Sequence, residues 1–222
     1  RSRLLPQFSR YLIPRLYSRR TGAATAAGSG QLSMTLRLIT FDLDHTLWDP
    51  TDALIAAEQA MFGWINEHSP VTASFYPPEK FHAYKKDLAA AYPELTGKVS
   101  EFRFQLLRRI FLQSGHDSDT ARRMAQDAFA AFYQARSTGL TLFENVADVM
   151  AELKESYTLI ALTNGNADLD IAGHTHLFER HLKADDYAAK PSPDMFEAAL
   201  QHAGVEPRQA LHIGDHPEQD VA

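Results

Sequence analysis

The chain has 222 residues, 45% of them hydrophobic and 23% charged, with no cysteine and a formal net charge of −6. That is enough apolar material for one α/β domain with an inserted subdomain, while the absence of cysteine excludes disulfides and a thiol nucleophile. No apolar run approaches the roughly 18 residues of a membrane helix, so no membrane partner is expected and the setting is read as cytoplasmic.

Charge is unevenly placed. Residues 1–33 hold six arginines (Arg1, Arg3, Arg10, Arg15, Arg19 and Arg20) and no acid, so the remainder carries −12. An acidic body argues against a nucleic-acid partner. The leader is broken by Pro6 and Pro14 and runs into small, flexible residues from Thr21 to Gly30. An arginine-rich, acid-free leader also suits an organelle transit peptide, but it is read in preference as a disordered or non-native segment, with the protein starting at Met34.

The first expected strand is Leu36 to Phe41, followed at once by Asp42, Leu43, Asp44, His45 and Thr46. Side chains two apart on a strand point the same way, so Asp42 and Asp44 are predicted to leave the carboxyl end of the sheet together, where open α/β sheets bind ligands. Two close carboxylates repel, and such a pair signals a bound cation, a shared proton, or a division between nucleophile and acid.

Between Asp42 and Thr163 lie 120 residues, far more than one crossover needs. Helical periodicity covers Ala53 to His68, Glu79 to Tyr92, Val99 to Ser114 and Asp119 to Ser137, with proline or glycine breaks between them. Four helices here would cover the strand ends. Trp48 and the aromatics of this stretch read mostly as packing, and Arg103, Arg108 and Arg109 as solvated helix charges.

A second strand is expected over Tyr157 to Leu162, ending in Thr163, Asn164 and Gly165 ahead of a helix. Amides at a helix start, with the Thr163 and Asn164 side chains, suit a phosphate. Lys190 follows, held out of any helix by Pro191 and Pro193. A third strand, Ala210 to Gly214, ends at Asp215, with Asp220 five residues on. Each piece alone also reads as an ordinary turn, surface lysine or helix start. It is their convergence on the strand ends of one sheet that points to a site.

In that order, Asp42-Leu-Asp44-His-Thr46, Thr163-Asn164-Gly165, Lys190-Pro191 and Gly214-Asp215 through Asp220 resemble the four motifs of the haloacid dehalogenase superfamily, from about Leu36 onward. Thr163-Asn164-Gly165-Asn166 and Trp48-Asp49 look like its bacterial branch that dephosphorylates flavin mononucleotide (FMN) and 5-amino-6-(5-phosphoribitylamino)uracil in riboflavin biosynthesis. The resemblance implies a Rossmann-like parallel sheet with helices on both faces, formed by residues 34–50 and 138–222, with a helical cap over 51–137. It implies hydrolysis of a small phosphorylated metabolite through an aspartyl-phosphate on Asp42, with Asp44 as acid and base. Thr46, Thr163, Asn164 and Lys190 would hold phosphate. Mg2+ would sit among Asp42, the Asp44 carbonyl and Asp215, with Asp220 as ligand or support. Dehalogenases lack an acid at position 44, so the expectation is a phosphatase.

The family continues past its last motif with a helix and another strand, so the carboxyl end is expected to be truncated and Leu211 to Ile213 exposed. His45 is read as structural and His216 as a solvent-facing turn residue. A monomer or dimer is expected. The rival readings are a phosphotransferase or phosphomutase of the same family, and a non-catalytic fragment that binds a phosphorylated ligand.

Overall fold

A computed structural model describes residues 35–95 and 97–221; the leader expected over 1–33 lies outside them. Four strands, β1 (Leu38–Phe41), β2 (Thr158–Thr163), β3 (Arg180–Lys183) and β4 (Ala210–Ile213), form one parallel sheet in the order β3-β2-β1-β4. Leu38 pairs with Thr158 on one side and Ala210 on the other, so β1 is central and its carboxyl end meets those of β2 and β4. All four are short, and β1 is fully buried, as an apolar run enclosed on two faces should be.

Alternation along the strands sorts two apolar layers. Ile39, Phe41, Leu159 and Ala161 face Met150 and Leu153 of helix α6 (Val146–Lys154) together with Leu177 and Phe178. Leu38, Ile160, Leu162 and Leu182 face Met195 and Ala199 of helix α7 (Asp194–Ala203). Helices therefore cover both faces. Helix α7 closes on Gly204 at φ 60°, the left-handed conformation that glycine adopts at helix ends without penalty.

The stretch expected to hold four helices holds five: α1 (Thr51–His68), α2 (Pro70–Phe75), α3 (Pro78–Ala91), α4 (Val99–Gln113) and α5 (Ser118–Thr138). The extra one, α2, is a single turn and a half that Pro70 starts from the first helical position, where its missing N–H is no loss. Asp117 starts α5 by accepting the amides of Asp119 and Thr120, both at 3.0 Å. These helices have an apolar cluster of their own, built from Met61, Ile65, Leu106, Phe111, Ala125 and Phe132 among others. It shares no residue with the two layers on the sheet.

Three further expectations fail. No regular helix follows Gly165: residues 166–174 hold a single turn, which Asp168 caps by accepting the amides of Asp170 and Ile171, and Gly173 at φ 76° ends it. Strand β3 was not anticipated; its sequence Arg-His-Leu-Lys is polar, as an edge strand can be. And Arg103 is not a solvated charge. Its guanidinium lies 3.6 Å over the Phe132 ring, and burial pushes its pKa down to about 10.

Candidate active site

Strand β1 stops at Phe41, so Asp42 and Asp44 stand on the turn beyond it and not on the strand itself. Leu43 accepts the amides of Thr46 and Leu47, and the His45 amide returns to the Trp48 carbonyl. That tight turn, with His45 at φ 62°, breaks the twofold strand period. The two carboxylates consequently face different partners.

Asp42 faces inward. Its Oδ1 accepts Lys190 Nζ at 2.6 Å, and the same ammonium donates to Asp220 Oδ1 at 2.7 Å. Asp220 accepts again from His212 Nε2 at 2.9 Å and, on Oδ2, from the His216 amide at 2.9 Å. His212 reaches back to β1, with its Nδ1 2.8 Å from the Thr40 hydroxyl, its pairing partner across the sheet. Since a carboxylate only accepts, His212 carries its proton on Nε2 and Nδ1 accepts from Thr40. One ammonium cannot neutralise two carboxylates. Burial pushes Asp42 up to about 6 against the pull of Lys190, with the charge on Asp220 adding to the rise. For Asp220, burial also acts upward, but the His212 hydrogen bond and Lys190 outweigh it and hold the carboxyl far below the ordinary range. Burial leaves His212 neutral.

Asp44 faces the helices. Arg136 Nη2, from the last turn of α5, donates to both of its oxygens at 2.7 Å, and Trp48 Nε1 donates to Oδ1 at 2.8 Å. Trp48 is thus packing and partner at once, since it is fully buried and stacks on His174. Gly165 touches the other side of Asp44: a Cβ at that position would stand 2.8 Å from Oδ2. The second motif and the acid are therefore in contact, with no room for a side chain between them.

Around the pair, Thr46 Oγ1 lies 3.5 Å from Asp42 Oδ2, and Thr163 Oγ1 accepts the Gly165 amide at 2.9 Å. The Asn164 amide is turned away from both acids. It clasps the backbone of Lys190 from both sides, at 2.7 and 2.9 Å, and donates to Gln219 at 3.0 Å. Asp215 is exposed at the rim, and one oxygen each of Asp42, Asp215 and Asp220 lie within 4.8 Å of one another. A Cβ at Gly214 would collide with the Asp220 side chain, so this glycine is what lets the acid tuck under the strand end. His216 is exposed and starts the short helix α8 (Pro217–Asp220) by accepting two amides on Nδ1. Eight motif residues thus converge, with Asn164 as a clasp.

The helices reach the sheet next to this site. Lys98 Nζ donates to the carbonyls of Ala184 and Tyr187 at 2.8 and 2.7 Å, and Tyr133 donates to Asp168 at 2.9 Å. Two open clefts of about 450 Å³ lie on the helical layer, one walled by Tyr92, Phe102, Arg103 and Lys85; neither is lined by the acids. Sequence reasoning missed Arg136 and His212. Both carried a signal: Arg136 is the next position on the buried face of α5 after Ala121, Ala125, Ala128 and Phe132, and His212 interrupts an apolar strand.

A buried carboxylate beside an ammonium, with a second carboxylate a few atoms away, can attack an electrophile with one acid and move protons with the other. Residues 36–222 match the family model described as haloacid dehalogenase-like hydrolase. The chain is 29% identical over 184 residues to the 5-amino-6-(5-phospho-D-ribitylamino)uracil phosphatase YigB of Escherichia coli, covering 82% of this chain and 76% of that one. It is 27% identical to a phosphoserine phosphatase of Thermus thermophilus, over 84% of this chain and 83% of that one. Among solved structures, a 2-haloacid dehalogenase from Pseudomonas syringae superposes with a TM-score of 0.78 at 34% identity, covering 84% of this chain and 81% of that one.

Proposed function

Since the chain belongs to the haloacid dehalogenase-like hydrolase family, we propose that it hydrolyses phosphomonoesters in two steps, with Asp42 as nucleophile and Asp44 as acid and base. The observation that carries this reading is the split between the two carboxylates: Asp42 buried 2.6 Å from Lys190, Asp44 held apart by Arg136 and Trp48.

In the first step an Asp42 oxygen attacks phosphorus, the ester oxygen leaves, and Asp44 gives that oxygen a proton. In the second, Asp44 takes a proton from water, which attacks the phosphorus of the aspartyl-phosphate, releases inorganic phosphate and returns Asp42. On this reading the hydroxyls of Thr46 and Thr163 donate to phosphate oxygens. Lys190 offsets negative charge as two anions approach. Asn164 supports this work by fixing the backbone of Lys190.

The oxygen cluster of Asp42, Asp215 and Asp220 fits a hard divalent cation in donor type and spacing. Mg2+ held by Asp42, the Asp44 carbonyl and Asp215 would supply charge neutralisation between carboxylate and phosphate. Both Asp220 oxygens are already engaged, which favours support over direct ligation.

The dehalogenase likeness suggests a second chemistry, in which Asp42 displaces a halide. A halide departs without a proton, whereas an alkoxide does not, and a proton carrier fixed beside the nucleophile favours the ester. Helices α1 to α5, over residues 51–137, are read as a cap that excludes water and selects the substrate. The relative named for a ribitylaminouracil phosphate makes that compound the first substrate to try, and the motif wording at Thr163 to Asn166 adds FMN, in a cytoplasmic setting.

Phosphate release across FMN, the ribitylaminouracil phosphate, phosphoserine and sugar phosphates tests the reading. Release that stops in excess chelator and returns with Mg2+ is expected. Halide release from 2-haloacids with no phosphate release from any ester would overturn it.

A further inference from the structure

We infer that Arg136 is a positioning residue for the chemistry of Asp44: with Trp48 it fixes Oδ1 as the held oxygen and leaves Oδ2 as the one that moves protons. This deepens the reading above and rests on it.

The geometry is specific. Oδ1 accepts from both Arg136 Nη2 and Trp48 Nε1, at 2.7 and 2.8 Å, which uses its two lone pairs. Oδ2 accepts from Arg136 alone, so it keeps one lone pair, and it is the oxygen that abuts Gly165 in the phosphate-side loop. Proton transfer to a leaving group or from water therefore runs through Oδ2. The donors come from two places, Trp48 from the turn that carries Asp44 and Arg136 from the end of α5, so the helical layer contributes directly to the orientation of the acid.

A purely structural strut accounts for less. Arg136 is 1% exposed, and Asp44 is the one acid it pairs with among the described residues. Burying a guanidinium against a single carboxylate is costly where an apolar side chain would pack. Its Nη1, moreover, is buried with no hydrogen-bond partner. The side chain thus keeps its grip on Asp44 at the cost of one unsatisfied donor.

The test compares Arg136→Lys and Arg136→Ala with the parent on an alkyl phosphate and on p-nitrophenyl phosphate. Lysine keeps the charge but loses the planar fork. We expect Arg136→Lys to lower kcat on the alkyl ester by roughly 10- to 100-fold with KM changed less than about threefold, the loss typical of a group that orients another. The loss in the first step, read as the single-turnover rate of leaving-group release, should be smaller on p-nitrophenyl phosphate, whose leaving group needs no proton, because the two esters share only the water-attack step. Millimolar guanidinium should restore part of the kcat of Arg136→Ala and leave Arg136→Lys unchanged. If Arg136→Ala does not fold, the two-ester comparison on Arg136→Lys decides alone. Wild-type kcat in Arg136→Lys, or equal first-step losses on both esters, would overturn the inference. Asp44→Asn run alongside tells the two failures apart: a large Asp44→Asn defect with Arg136 variants at parental kcat removes only the Arg136 role, whereas an Asp44→Asn enzyme at full activity removes the acid-base reading itself.

Discussion

Asp42 and Asp44 are two residues apart, yet they sit in two different regions. The Asp42 side is drawn from the sheet and the segments beyond its carboxyl edge: Thr40 of β1, His212 of β4, Lys190 from the loop before α7 and Asp220 of α8 form a buried chain of hydrogen bonds behind it. The Asp44 side draws its partners from the turn and from helix α5, and its carboxylate is more open, with 25% of its side chain exposed against 12% for Asp42. The difference shows how one short turn separates two chemically identical groups. On the proposed reading, the carboxylate that attacks is kept in a desolvated place beside a cation, and the one that exchanges protons has two donors on one oxygen and a single donor on the other.

The sharpest way to break the comparison is Asp42→Asn. The amide fills nearly the same volume but cannot attack phosphorus, so phosphate release should fall by at least about 10⁴-fold, with the circular-dichroism spectrum unchanged. Activity within tenfold of the parent would remove the nucleophile from Asp42.

Lys190→Met probes the sheet side by stability. It leaves Asp42 and Asp220 buried without their shared cation, and breaking such a pair costs about 3–5 kcal/mol, read as a lower urea midpoint. A loss below about 1 kcal/mol would mean that Lys190 does not balance the two acids.

The smallest effect comes from outside both regions. His181 on β3 has a buried Nε2 with no partner, and burial pushes its pKa down from 6.5 to about 4. The native state thus resists a proton that the unfolded chain accepts. Stability is fully present above pH 6.5 and declines as pH falls toward 4, by up to roughly 3 kcal/mol. Asp42, pushed up to about 6, has the opposite sign, because its native form takes the proton first. The difference between parent and His181→Phe across that window isolates the histidine, and parallel slopes would refute it.

Much of the site was legible because its residues follow strands, and strands announce themselves as apolar runs. Asp42 and Asp215 sit just past β1 and β4, and Thr163 is the last residue of β2. Lys190 was legible from the prolines around it. What the sequence did not show were partners fixed by the third dimension. Arg136 lies 92 residues from Asp44, and only the α5 periodicity hints that it points inward. His212 looked like strand filling, because its partner Thr40 is 172 residues away. The helix expected after Gly165 failed for a local reason: the turn that Asp168 caps is ended within a few residues by Gly173 at φ 76°. Strand β3 escaped because a polar edge strand lacks the apolar signature.

The division of roles between the two acids is tested most directly by trapping phosphate on Asp42. In Asp44→Asn supplied with p-nitrophenyl phosphate, the leaving group departs unaided while water attack loses its base, a step such catalysis speeds by roughly 10²–10⁴-fold. Quenching in acid should then reveal accumulated, hydroxylamine-sensitive phosphate on the peptide that contains Asp42, with a smaller loss of the first step than on FMN. Equal losses on both esters and no phosphate on Asp42 would contradict the account.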